Sequence, residues 1–208
     1  MVRGGRGFTL VETLVAVSIL LTVIIGPMTI ASRGMQSAYL AGDQTTAVYL
    51  AQEAIEHIQQ LRDDVALENF QDYQNDGNDG DGDTSDWYDN LPSECKDSDG
   101  CDYDFEDGDY NDCTNTESSN VCRIEKNIDA PNGRIYGYGS GADWEETRFT
   151  RIIRVGTPTD LGGNGWDTST IGGVPVTVTV SWDAGANFGG VRTVTLQTYL
   201  YDHYTRYE

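Results

Sequence analysis

The chain has 208 residues, of which 38% are hydrophobic, and a formal net charge of -21 at pH 7. This length and composition predict one ordinary domain with a core plus one special segment, and they exclude a fully disordered chain. The strong negative charge makes nucleic-acid backbones and anionic lipid headgroups poor partners for the acidic part, and makes cations natural ones. Acidic residues are concentrated between Asp63 and Glu146, whereas the preceding part carries few charges.

The chain begins with a short basic segment that runs into an apolar stretch. Arg3 and Arg6 precede the run FTLVETLVAVSILLTVIIGPMTIA, residues 8–31, in which Glu12 is the only charged residue. As a helix this run would be about 36 Å long, enough to cross a bilayer core. The basic flank favours a cytoplasmic N-terminus, so the remainder of the chain would face outward. A secretory signal peptide is the competing interpretation, but its cleavage site would lie beyond the apolar region.

After the apolar run, the sequence predicts that the helix continues through residues 32–63, past a tolerable kink at Gly26-Pro27. One narrow apolar stripe recurs every three or four residues and suits packing against a sheet. Its members are Ala47, Ala51, Ala54, Ile58, Leu61 and Val65. The side chains off this stripe are polar and can meet water: Asp43, Gln44, Gln52, Glu53, Glu56, Gln59, Gln60 and Arg62.

Glu12 is an unusual residue for its position. A carboxylate in an apolar span costs several kcal/mol unless it finds a partner or loses its charge, so Glu12 is a functional candidate. If the chain is cut after Gly7, a new positive amine appears on Phe8, four residues before Glu12. The carboxylate of one subunit could then neutralise the amine of a neighbour where both are buried among apolar side chains.

The run Gly7-Phe8-Thr9-Leu10-Val11-Glu12 resembles the processing motif of the type IV pilin and type II secretion pseudopilin superfamily. The resemblance implies a leader of residues 1–7 that a prepilin peptidase removes by cleavage after Gly7. It also implies methylation of Phe8 and a role for Glu12 in assembly. A simple signal anchor with an incidental glutamate is the competing interpretation, and it explains neither the short basic leader nor the position of Glu12.

The resemblance extends into the second half of the helix, where residues 49–63 are similar to minor pilins. It implies an α+β, type IV pilin-like fold and a function as a structural subunit of a type IV pilus or a related secretion pseudopilus. The implied partners are other pilin subunits, the prepilin peptidase, an inner-membrane assembly platform and the membrane itself. The implied location is the inner membrane as a single-pass protein, and then an extracellular filament. Pro27 departs from the pattern, since it falls slightly off the helix-bending proline of major pilins.

Residues 64–147 are predicted to form an acidic variable loop, because they are rich in Asp, Asn, Gly and Ser and contain few aliphatic side chains. All four cysteines of the chain lie in this loop: Cys95, Cys101, Cys113 and Cys122. They include no CxxC pair, so two disulfides formed in an oxidising compartment are a better interpretation than structural zinc or free thiols. Their spacing leaves all three connectivities open.

Calcium is the candidate cofactor of the acidic loop. Residues 75–83 read NDGNDGDGD, and oxygen-bearing side chains on glycine turns are typical of calcium sites. The candidate ligands are Asp76, Asp79, Asp81 and Asp83. The stretch fails the EF-hand spacing, and a solvated, self-repelling loop is the competing interpretation. The corresponding alternative function is a membrane-anchored extracytoplasmic module that binds calcium or another ligand.

Residues 148–208 predict an antiparallel sheet. Apolar and polar side chains alternate in residues 176–182 and 191–201, with a glycine-rich hairpin loop between them, and an earlier strand is expected at about 149–155. Three strands packed on the helical stripe would make an α+β head. Neither His57 nor His203 has an obvious nucleophile nearby in sequence, and no P-loop, G-x-S-x-G or H-E-x-x-H pattern occurs, so we do not expect an enzyme.

Overall fold

The computed structural model describes residues 7, 9–76, 88, 90–104, 108–113, 122–129, 136–139, 142–158, 173–185 and 189–201. The chain divides into two compact units, Met1–Gln44 and Thr45–Glu208. Helix α1, Leu10–Asp76, contributes to both of them. A single-turn helix α2, Ser93–Lys96, and seven short or long β-strands make up the rest of the described structure.

The first unit is the N-terminal part of helix α1, and its apolar side chains are exposed. Large hydrophobic residues from Leu10 to Tyr39 are between 51% and 78% exposed. The hydroxyl groups of this segment donate to backbone carbonyls three or four residues earlier, as Thr13 does to Leu10 and Ser18 does to Val15. Hydroxyl residues can therefore occupy an apolar helix without leaving a donor unsatisfied. The helix also passes through Pro27, as the sequence allows.

Helix α1 ends at Asp76, later than the predicted end at Asp63. The apolar periodicity stops near Val65, but residues 64–76 include good helix formers and no glycine or proline before Gly77. The end of the packing stripe is therefore not the end of the helix. The first residues of the predicted loop 64–147 are therefore helical, up to Asp76.

The seven strands form one antiparallel sheet in which β5 occupies the centre. The strands are β1 Cys101–Tyr103, β2 Tyr110–Asp112, β3 Arg123–Asn127, β4 Tyr136–Gly137, β5 Trp144–Val155, β6 Val174–Asp183 and β7 Val191–Leu200. Strand β5 pairs with β1 and β3, and it also pairs with β6, which in turn pairs with β7. The three predicted strands are confirmed as β5, β6 and β7. The four shorter strands lie in the segment predicted as a loop. They could not be predicted, because two to five residues are too few to show an alternating pattern.

The core of the second unit joins helix α1 to the sheet. Five helix residues are almost completely buried: Ala47, Leu50, Ala51, Ala54 and Ile58. They pack in one cluster with the inward side chains of β5 and β6, which include Ile153, Val176, Val178, Val180 and Trp182. The alanines have small side chains, so the helix backbone can approach the sheet closely. The predicted α+β, pilin-like fold, with a long helix and an antiparallel sheet, is confirmed.

Candidate functional site

The N-terminal candidate site lies at the start of helix α1. Gly7 is exposed, Phe8 lies outside the described residues, and the helix begins at Leu10. Thr9 caps this helix, because its Oγ1 accepts a hydrogen bond of 3.3 Å from the backbone N–H of Glu12. Glu12 stands in the first turn, where the partial positive charge of the helix N-terminus favours a carboxylate. The helix thus starts within a few residues of the predicted cleavage point.

The helix that follows this site is long and apolar enough to cross a membrane, judged by length and composition. The most apolar part of Leu10–Val65 has a mean hydropathy of 2.4, and none of that part is buried in the structure. An apolar surface of this size in contact with water is unfavourable, so it needs a bilayer or other chains to cover it.

The cysteines form two disulfides, Cys95–Cys101 and Cys113–Cys122, and no cysteine is free. The prediction of two disulfides is confirmed, and the structure selects the sequential pairing among the three possible connectivities. Cys95 and Cys101 are both completely buried, in helix α2 and at the start of strand β1. They contribute to the same core as helix α1.

A buried ionic network, which the sequence analysis missed, lies between helix α1 and the sheet. Arg151 of strand β5 and Asp102 of strand β1 are both completely buried, and Arg151 Nε donates to Asp102 Oδ1 at 2.6 Å. Arg151 Nη1 also donates to Glu53 Oε2 of helix α1 at 3.0 Å. The hydroxyl of Tyr138 donates to the other oxygen of Asp102, and the backbone N–H of Tyr103 donates to Oδ1. Glu53 lies off the predicted apolar stripe, and its side chain is half-buried and paired with Arg151.

The protonation of this network follows from its burial. Burial alone would lower the pKa of Arg151, but the carboxylates of Asp102 and Glu53 more than compensate, so that its pKa is raised and the guanidinium stays charged. Burial raises the pKa of Asp102, and the charge of Arg151 and three hydrogen bonds act against this rise. Burial raises the pKa of Tyr138, which the neighbouring Asp102 raises further, so its hydroxyl keeps the proton that it donates.

His57 of helix α1 belongs to an aromatic cluster with Tyr103 of strand β1 and Tyr110 of strand β2. Its ring stacks on Tyr103 with centroids 3.6 Å apart, and its Nε2 lies 2.8 Å from the hydroxyl of Tyr110. Burial lowers the pKa of His57, and the charge of Arg151 lowers it further, whereas Asp64 opposes the change. The cluster therefore favours the neutral imidazole. The side chain joins the helix to strands β1 and β2.

Comparison with known proteins bears on the N-terminal site. Residues 3–26 match the prokaryotic N-terminal methylation motif. The chain carries the type IV pilin and pseudopilin signature. The matched range contains the basic flank, the predicted cleavage point and the first part of the apolar helix. No curated protein and no solved structure matches the chain.

The pilin signature lies in the N-terminal segment, outside the buried network and the aromatic cluster. It implies processing by a prepilin peptidase and association with other pilin subunits, and it points to a structural subunit rather than an enzyme. The exposed apolar helix is consistent with a single membrane anchor that later enters a filament. The buried network and the aromatic cluster, by contrast, lie inside the head and hold its elements together.

The calcium site stays a prediction. Asp79, Asp81 and Asp83 lie outside the described residues, and Asp76 is placed only as the last residue of helix α1. The part of the chain that the structure describes contains no group of three or more His, Cys, Asp or Glu side chains that could hold a metal ion. A melting temperature that rises with calcium and falls with a chelator would test the prediction.

One signal in the sequence could have located the buried network. In the run Phe149-Thr150-Arg151-Ile152-Ile153, alternation places Arg151 on the same face as Phe149 and Ile153, which is the buried face of strand β5. An arginine on a core face needs a carboxylate partner. The partners could not be named in advance, because Asp102 and Glu53 are among 34 acidic residues and lie far away in sequence.

Proposed function

We propose that this chain is a prepilin that is cleaved after Gly7, methylated on Phe8, and assembled through its N-terminal helix into a type IV pilus or a related secretion pseudopilus. Within that filament it acts as a minor subunit. In this role Glu12 of one subunit neutralises the new N-terminal amine of a neighbour. Before assembly the apolar helix anchors the chain in the inner membrane with the head outside the cytoplasm.

The observation that supports this proposal is the coincidence of two features in one segment. The methylation motif covers residues 3–26, and the helix within that range exposes its apolar side chains almost along its whole length. A membrane anchor alone would need the apolar surface but not the motif. A filament subunit needs both, because the apolar helix first lies in the bilayer and then packs against other helices.

The proposed minor role has separate support. The segment 64–147 is long, acidic and held by two disulfides, and it would add bulk to each copy in a filament. The similarity of residues 49–63 to minor pilins points the same way. Two disulfides also fit a head that matures in an oxidising compartment.

Processing is tested on the full chain expressed with and without a prepilin peptidase. The intact mass and N-terminal peptide should show loss of residues 1–7 and one added methyl group on Phe8 when the peptidase is present. Gly7→Val should block the cleavage, because a branched side chain replaces the small residue at the scissile bond. Gly4→Val is the matched control in the same leader and should be cleaved normally. An intact N-terminus in membranes that contain active peptidase would refute the proposal.

A further inference from the structure

Arg151 joins three separate segments of the head through one buried charge. Its side chain is completely buried on strand β5. Nη1 donates to Glu53 and, at 3.4 Å, to the backbone carbonyl of Leu50, both in helix α1. Nη2 donates to the carbonyl of Tyr103 in strand β1 at 3.2 Å, and Nε donates to Asp102. The same guanidinium therefore forms hydrogen bonds to helix α1 and to strand β1, which begins at Cys101 of the Cys95–Cys101 disulfide.

The balance of charge around Arg151 depends mainly on Asp102. The Glu53 side chain is 42% exposed and its charge is partly screened by water, whereas Asp102 is completely buried. Burying a guanidinium without a buried counter-charge is strongly unfavourable. Asp102 on strand β1 is therefore the buried counter-charge of Arg151.

Strand β1 has little backbone pairing of its own to hold it there. It contains three residues, and its described pairing with β5 is the single pair Cys101↔Ile153. All three of its residues pair with β2, but β2 is itself only three residues long. The disulfide to Cys95 therefore fixes the residue that directly precedes Asp102. Cys95 is itself buried in the core cluster, to which Leu91 also belongs.

We propose that closure of the Cys95–Cys101 disulfide positions Asp102 to neutralise Arg151, and that this neutralisation docks helix α1 on the sheet. In the closing step the two thiols lose two protons and two electrons. The electrons reduce an external disulfide, such as that of a thiol–disulfide oxidoreductase, to two thiols. Before closure, strand β1 is held weakly, Arg151 lacks its buried counter-charge, and the helix does not pack stably. This coupling concerns the head and is independent of the filament role.

The second disulfide gives an internal comparison. Cys113–Cys122 links the end of β2 to the start of β3 and does not adjoin a carboxylate of the network. Its sequence separation is 9, against 6 for Cys95–Cys101. Chain entropy alone therefore makes Cys113–Cys122 the slightly more stabilising bond. The proposed coupling reverses that order, so the order of the two effects distinguishes the explanations.

The experiment compares thermal unfolding of the full chain in detergent micelles, followed by tryptophan fluorescence, to which the buried Trp182 contributes. One variant, Cys95→Ala with Cys101→Ala, removes the first disulfide, and Cys113→Ala with Cys122→Ala removes the second. Each pair is made in the wild-type background and in a neutral background that carries Arg151→Met and Asp102→Asn. Alkylation followed by intact mass verifies the remaining disulfide in each sample.

We expect loss of Cys95–Cys101 to lower the melting temperature by about 10 °C more than loss of Cys113–Cys122 in the wild-type background. In the neutral background that excess should disappear, because no buried charge remains to be neutralised. If loss of Cys95–Cys101 prevents folding altogether, the neutral background should restore a cooperative transition. Equal losses for the two disulfides, an excess that persists in the neutral background, or no restoration of folding would overturn the proposal.

Discussion

Two isoleucines of helix α1, Ile24 and Ile58, differ in their exposure to solvent. Ile24, in the unit Met1–Gln44, is 53% exposed, whereas Ile58, in the unit Thr45–Glu208, is completely buried. The same contrast holds for their neighbours. Large apolar side chains from Leu10 to Tyr39 are exposed, whereas five residues of the later segment are buried in the core: Ala47, Leu50, Ala51, Ala54 and Ile58. The head covers its own apolar surface, and the N-terminal segment depends on other molecules to cover its surface.

The charged residues of the two units differ in the same way. Arg151 in the head is surrounded by partners from its own chain. Glu12 in the N-terminal segment has no ion pair among the described residues, although it lies in an apolar stretch. Loss of the Glu12 charge in the first unit should therefore impair assembly, and loss of buried partners in the second unit should impair folding.

The largest expected effect is on assembly, at Glu12. Glu12→Gln keeps the shape of the side chain and removes the charge that would neutralise a buried amine, so filament yield should fall roughly 100-fold. Yield is measured as the processed chain recovered in sheared or pelleted filaments. Ser18→Ala, a polar substitution in the same apolar stretch, is the control and should leave the yield unchanged. Assembly of Glu12→Gln at the wild-type level would contradict the proposed role.

Arg151→Ala should cause the largest loss of stability in the head. The substitution leaves Asp102 buried without its cation, which costs about 3–5 kcal/mol of unfolding free energy. Arg123→Ala is the matched control, because the side chains of Arg123 and Glu146 are 35% and 67% exposed and their pair should contribute less than about 1 kcal/mol. Denaturant unfolding of the two variants measures both values. Losses of similar size in the two variants would mean that the buried Arg151 network stabilises the head no more than the Arg123–Glu146 pair does.

Ile58→Ala and Ile24→Ala test the contrast between the units within one helix. Ile58→Ala removes buried methyl groups and should lower the unfolding free energy of the head by about 2–5 kcal/mol. Ile24→Ala removes atoms that the head does not contact in its own core, so the change should be below about 0.5 kcal/mol. Unfolding in detergent gives the stability, and the filament assay gives the second readout. A large loss of head stability in Ile24→Ala would contradict the division into two units.

Much of this arrangement could be predicted from the sequence. The helix, its alanine stripe, the three long strands and the presence of two disulfides follow from local patterns that repeat over many residues. Leu50 was absent from the predicted stripe, although it lies one turn before Ala54 and is 3% exposed. The error is small, because a helix face is wider than one strict row of positions.

The remaining features depend on contacts between distant residues. Asp102 and Arg151 are 49 positions apart, and His57 and Tyr110 are 53 apart. The strands β1 and β2 exist because β5 and a disulfide hold them, and their own residues have no strong strand pattern. The later end of helix α1 has a different cause, since helix propensity continues after the packing stripe has ended. Local patterns therefore predict the elements, and they miss the polar contacts that join them.

The smallest expected effect is a pH dependence of stability that arises from His57. Because His57 lies in the head, this dependence should not affect the N-terminal segment. Burial and Arg151 lower the pKa of His57 from its ordinary value of 6.5. Between the lowered value and 6.5 the unfolded chain binds more protons than the folded chain, so stability rises with pH through that window. Above about pH 6.5 the histidine is neutral in both states and does not lower the stability. As the pH falls towards the lowered pKa, protonation in the unfolded chain progressively lowers the unfolding free energy.

Melting temperatures of the full chain between pH 5 and pH 7.5 measure this dependence. Asp102 and Glu53 have raised pKa values, so the folded chain binds more protons just above their ordinary range and their contribution falls as pH rises. The wild-type curve is the sum of these opposing slopes. Comparison with His57→Gln isolates the histidine, and the difference between the two curves should increase from acid to neutral pH. His203→Gln removes the second histidine of the sequence and should reproduce the wild-type slope. If His57→Gln has the wild-type slope as well, the aromatic cluster does not bias the protonation of His57.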